Sequence, residues 1–253
     1  MEFRDYLLEQ KLNDATFKTH MRNMERFGEL SHRPIIEQID ECCDTTSKKM
    51  SMASTISKFL KFKELPNEDV QAYIKSSLEQ FKKEKLQKTA ELVLPTLDDI
   101  KKEMNKLYEK EDWRSYVLLF LMVQYQCRNM DLIAKVVQSK RDTNDEDNWF
   151  VATASQVVWI RNKYKTSKIY GTKKHVIKNK KFMNAIKQLD CVFCEKDNVD
   201  RVVKKATANL GSITEGTIVK IVLAENNNMN SINKVEHNRG TSKDKLTTTY
   251  NIT

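Results

Sequence analysis

Glycine and proline are scarce, five and three among 253 residues. A sandwich, barrel or propeller needs more of both for its tight turns, so an all-β architecture is excluded. Collagen-like and Pro/Gly-rich disordered chains fall by the same counts. No uncharged apolar run reaches the roughly 18 residues of a membrane-spanning helix, and the longest, 116–123, reads as a buried helix core. The opening Met1-Glu2-Phe3-Arg4-Asp5 is polar, so no signal peptide is expected and an intracellular location follows. Five cysteines, an odd number, then read as reduced thiols. Cys191-Val-Phe-Cys194 has metal-ligand spacing without a second Cys/His pair nearby. A plain structural pair is the first reading there, and a zinc or redox site the alternative.

Charge is plentiful. Lysine and arginine number 44 against 35 acidic residues, a net charge of +9, while 40% hydrophobic residues supply a core for each half. The fold class expected is mainly α with a small antiparallel β-sheet (α+β). Phe17, Met21, Met24 and Phe27 mark one helix face, stopped at Gly28. Ile56, Phe59 and Leu60 suggest a second helix behind Ser54-Thr55, and Val70, Tyr73, Ile74, Leu78 and Phe81 a third behind Pro66. A charged stretch over 82–88 leads to Pro95. The domains expected are 1–88, a linker 89–95, and 96–253.

Thr96 and Asp99 form a capping signature for the next helix. Residues 113–125 are nearly all apolar and predict the central helix of the second domain. Residues 148–153, 156–160 and 169–177 read as strands. Helices are expected over 181–189, 199–208 and 213–224.

Between 161 and 187 stand ten basic side chains and no acidic one. They sit on the expected hairpin with Tyr164, Tyr170 and His175 interleaved. Such a surface suits a phosphate backbone, where each neutralised phosphate releases counterions. Duplex DNA is the favoured partner, with Arg161, Lys163, Lys168, Lys173 and Lys174 as contacts. A membrane is disfavoured, because no basic amphipathic helix with bulky aromatics accompanies the run.

Three motifs follow in order: Cys127-Arg128-Asn129-Met130-Asp131-Leu132, then Lys163-Tyr164-Lys165-Thr166-Ser167-Lys168, then Arg239-Gly240-Thr241. With them the sequence resembles the tyrosine recombinases, the phage-integrase-like enzymes that break and rejoin DNA. Their first box is matched by Arg128, Asp131 and Leu132, their hairpin lysine by Lys165-Thr166, and the end of their second box by Arg239 and Thr241. The opening pattern Tyr6-Leu7-Leu8, Thr16, His20, Met24 and Phe27 is similar to a helical, SAM-like core-binding domain. Leu94-Pro95-Thr96-Leu97 and Trp113-Arg114-Ser115-Tyr116 are similar to a branch found in large DNA viruses, which implies a location in cytoplasm, nucleus or virion.

The resemblance implies an integrase-like catalytic domain over 96–253 with Arg128, Lys165, Arg239 and Tyr250 as catalytic residues, acting without metal or cofactor, in a homo-oligomer on DNA. A tyrosine oxygen would attack a phosphodiester, two arginines would hold the non-bridging oxygens, and the lysine would protonate the leaving oxygen. Asp131 would fix the first box. Two departures stand against the pattern. Glu236 occupies the place of the usual histidine, with His237 beside it. Tyr250 is the tyrosine available after Arg239, and eleven helical residues span ~16 Å, so the chain must fold back or act in a neighbouring subunit. The alternatives are a catalytically degenerate DNA-binding protein on the same fold, with a packaging, structural or regulatory role, and a helical adaptor for an acidic protein.

Overall fold

The computed structural model describes residues 2–12, 14–28, 33–90, 93–225 and 229–239. The chain divides into two compact units, Met1–Val93 and Leu94–Thr253.

The first unit holds α1 (Phe3–Glu9), α2 (Asp14–Phe27), α3 (Ile35–Cys42), α4 (Thr46–Phe62) and α5 (Glu68–Ala90). The stripe on α2 faces inward, and Gly28 ends the helix with φ +73°, its N–H donating to Met24 O at 2.9 Å. That left-handed turn favours glycine because it carries no Cβ. α4 starts well before its apolar stripe. Thr45 caps it by accepting from Lys48 N at 3.3 Å, and the polar first turn hides the start from a hydrophobic pattern. Met52, Ala53, Ile56 and Leu60 then close a core with Phe27, Ile39 and Val70. α5 runs on to Ala90, so the helix takes in the charged stretch 82–88 and residues 89 and 90 of the expected linker.

The second unit begins at α6 (Leu97–Glu109), opened by a reciprocal cap. Thr96 N donates to Asp99 Oδ2 at 3.0 Å, and Asp99 N donates to Thr96 Oγ1 at 3.1 Å. α7 (Trp113–Tyr125) follows and is buried from Ser115 to Val123. The remaining elements are β1 (Ala134–Val137), β2 (Asn148–Ala152), β3 (Val157–Arg161), the one-turn α8 (Ser167–Tyr170), β4 (Lys173–Ile177), α9 (Lys180–Ile186), β5 (Cys191–Phe193), α10 (Val199–Ala206), α11 (Glu215–Glu225) and α12 (Met229–Arg239). α7 packs against α6, α9, α10 and α11.

The α+β class holds, and the sheet is larger than the sequence indicates. It has five strands in the order β4-β3-β2-β1-β5, with β1 and β2 parallel and the other pairs antiparallel. β1 and β5 are short and escape a hydrophobic pattern. The expected strand 169–177 splits into α8, Gly171 and β4.

Strand alternation decides which hairpin residues face the core. Val157, Trp159 and Arg161 of β3 pair with Ile177, His175 and Lys173 of β4. Successive side chains alternate between faces, so these six share one side. Trp159 stacks on Phe150 at 5.3 Å, and Phe182 of α9 packs on Phe120 of α7 at 4.6 Å. Lys174 and Val176 point the other way and are exposed.

Candidate functional site

α7 ends in Gln126, a residue at φ +45° that turns the chain sharply. The turn delivers Arg128 into a short 3-10 segment, Asn129–Leu132, whose start is closed by Arg128 N donating to Asp131 Oδ2 at 2.9 Å. Asp131 is wholly buried. Its Oδ2 also accepts from Arg161 Nη2, and both partners are 0% exposed. Burial pushes the Asp131 carboxyl up, while Arg161 and the Arg128 N–H pull it down.

α12 closes over this end of α7. Three cations from three elements donate to carbonyls of its last described turn. Lys173 Nζ donates to His237 O, Arg161 Nη1 donates to Asn238 O at 2.9 Å, and Arg128 Nη1 donates to Arg239 O. Positive charge at that pole also suits the helix dipole. Arg239, 6% exposed, turns back inward. Its Nη1 donates to Gln126 O at 2.8 Å, and its Nη2 pairs with Glu215 at the start of α11. The second oxygen of Glu215 accepts from Asn129 N at 2.8 Å.

The arrangement gathers four cations, Arg128, Arg161, Lys173 and Arg239, around two carboxylates, Asp131 and Glu215. A surplus of two positive charges stands at a helix end, and Arg128 is its half-buried edge. Burial, then Arg161, holds the Lys173 ammonium below its ordinary pKa. Beside the cluster lies a cavity of about 560 Å³ lined by Tyr170, Lys173, Lys174, His175, Glu236 and His237.

The sequence-derived residues divide accordingly. Arg128 reaches Arg239, 111 positions away, through the backbone carbonyl of the latter. Lys165 is exposed in the turn before α8, and among the described contacts none joins it to the arginines. Tyr250, Gly240 and Thr241 lie outside the described residues. Lys163, Lys168 and Lys174 are exposed, with Lys163 3.5 Å from Glu195. Arg161 and Lys173, expected at the DNA backbone, are instead buried behind the sheet face. Alternation aims both at the core, and there Asp131 and the α12 carbonyls receive them. The partnership of Glu215 with Arg239 carries no sequence signal, since an acidic residue in a first helical turn is ordinary. Among the described residues no group of His, Cys, Asp and Glu could hold a metal, and no helix is long and apolar enough to cross a membrane.

No protein-family model matches the chain, and no curated protein does. A structural neighbour is the crystal structure of XerA recombinase, at 11% identity and a TM-score of 0.40, covering 98% of this chain and 90% of that chain. A likeness of that degree does not define the activity of this chain.

Proposed function

We propose that the second unit binds duplex DNA and carries strand cleavage and rejoining of the tyrosine-recombinase kind. The observation that supports this reading is the hydrogen bond from the Arg128 guanidinium to the Arg239 carbonyl at the end of α7, which brings both residues into one cluster of surplus positive charge. Tyr250 would supply the attacking oxygen. The phosphotyrosine bond forms as the DNA ester bond breaks, and the freed hydroxyl later reverses the step. Arg128, with Arg239 once released from Glu215, would hold the non-bridging oxygens, both being charged at any working pH. Lys165 would protonate the departing oxygen. On a nicked suicide duplex the full chain is expected to form a covalent adduct that survives a denaturing gel. Tyr250→Phe should abolish it and leave duplex affinity nearly unchanged. No wild-type adduct on duplexes that are nonetheless bound would remove the catalytic half of the reading.

One observation favours a second reading, a DNA-binding protein without chemistry. Arg239 is turned inward and held by Glu215 and two backbone carbonyls. Wild-type adduct formation separates the two.

The DNA contact is assigned to the outer hairpin, where Lys163, Lys165, Lys168 and Lys174 stand with the exposed Ile169 and Tyr170. Replacing Lys168 and Lys174 by Glu should weaken binding to all duplexes alike. The dependence of log affinity on log salt should become shallower by about two, roughly one for each phosphate no longer neutralised. An unchanged slope places the DNA elsewhere on the surface.

A further inference from the structure

Cys191 and Cys194 bracket β5, and their Sγ atoms lie 2.9 Å apart. Cys191 is half-buried on the strand, where it pairs with Lys135 of β1, and Cys194 is exposed just beyond it. The segment is fastened at both ends. Asp197 N donates to Cys194 O at 3.0 Å, and Cys194 N donates to Asp197 Oδ2 at 2.8 Å. Asp197 is itself held at 2.6 Å by Arg114 of α7, whose Nε donates to Val192 O at 2.7 Å. The surrounding backbone therefore fixes the segment that carries both sulfurs, which also share a hydrogen bond. The remaining cysteines offer nothing comparable: Cys42 and Cys43 are sequence neighbours and Cys127 is buried.

We infer that Cys191 and Cys194 are a redox-active dithiol that closes to an intramolecular disulfide by exchange with a small-molecule disulfide such as glutathione disulfide. Exposed Cys194 makes the first attack. Its thiolate bonds to one glutathione sulfur, the S–S bond of the oxidant breaks, and one glutathione leaves and takes up a proton. The Cys191 sulfur, already in contact, then loses its proton and attacks Cys194, expelling the second glutathione. Two protein thiols are oxidised and one glutathione disulfide is reduced to two thiols. Burial, and then its hydrogen bond to Cys194, push the Cys191 thiol up to about 11, which suits the residue that acts second. The inference is independent of any activity on DNA.

The test uses the full native chain in buffers of reduced and oxidised glutathione, quenched by thiol alkylation and mapped by mass. In wild type the tryptic peptide 188–196 should become lighter by two hydrogen atoms and lose both alkylation sites, and reduced glutathione should reverse the change. Cys191→Ser should stop at the first step and keep glutathione on Cys194. A wild-type peptide that carries a lasting glutathione adduct, or stays fully alkylatable in excess oxidant, overturns the inference. So does a Cys191→Ser variant whose adduct lasts no longer than that of wild type.

Discussion

Asp131→Ala is expected to destabilise the second unit by about 3–5 kcal/mol, the usual range when one member of a buried ion pair is removed. The size comes from what is left behind. A guanidinium is an obligate cation; Arg161 is fully buried and, among the described residues, would retain the Asn238 carbonyl and the faces of Trp159 and Tyr164, 4.9 and 5.0 Å from its guanidinium carbon. The Arg128 N–H would lose its acceptor as well. Asp131→Ala with Arg161→Met should recover much of the loss, because an apolar pair leaves no buried charge unpaired. All three tryptophans, at 113, 149 and 159, lie in the second unit. Fluorescence during urea unfolding therefore reads that unit. A loss below ~1 kcal/mol, the scale of a surface pair, would show that the charge of Arg161 is met by other groups.

Acid should weaken the same unit through His175. The ring lies 4.9 Å from Tyr125 and 5.5 Å from Trp159, and Nε2 is buried without a hydrogen-bond partner among the described residues. Burial first, then Arg161, His237 and Lys173, push its pKa down to about 4. The folded value lies below the unfolded one near 6.5, so the folded state favours the neutral ring. The stability tied to neutral His175 is complete above pH 6.5 and drains away as pH falls toward 4. The full shift corresponds to about 3 kcal/mol. His175→Phe should flatten this acid limb when urea midpoints are compared between pH 7 and pH 4, again by tryptophan fluorescence. An equally steep limb in the variant would assign the acid sensitivity to other groups.

Where one periodicity governs a whole segment, the sequence is easily read. The apolar run of α7 gives its extent residue for residue, and Thr96 with Asp99 marks the start of α6 because both halves of the cap are local. The resemblance boxes single out Arg128 and Arg239, and in the fold the Arg128 guanidinium donates to the Arg239 backbone carbonyl. The basic run 161–187 reads less well, since a count of charges has no direction. Val157 to Ile160 make β3 apolar on both faces, so its own pattern gives Arg161 no direction, and the register with β4 is needed for Arg161 and Lys173 alike. β1 and β5 are too short to carry a pattern, and the link from Glu215 to Arg239 depends on two helix ends that only the tertiary fold brings together.

The three cations at the end of α12 act on consecutive carbonyls of a single turn, so their contributions are not separable. Alanine substitutions at Arg128, Arg161 and Lys173 each loosen the same helix end, and their free energies should sum to more than the docking of that helix is worth. The coupling reaches Arg239, which rides on the turn being held. Under the proposed cleavage reaction, an Arg128 variant would thus merge two losses, a phosphate ligand and the placement of Arg239. Lys165 stands outside this network, on an exposed turn among the basic residues proposed to contact DNA, so a variant there tests the proposed chemistry only where duplex affinity is measured beside rate.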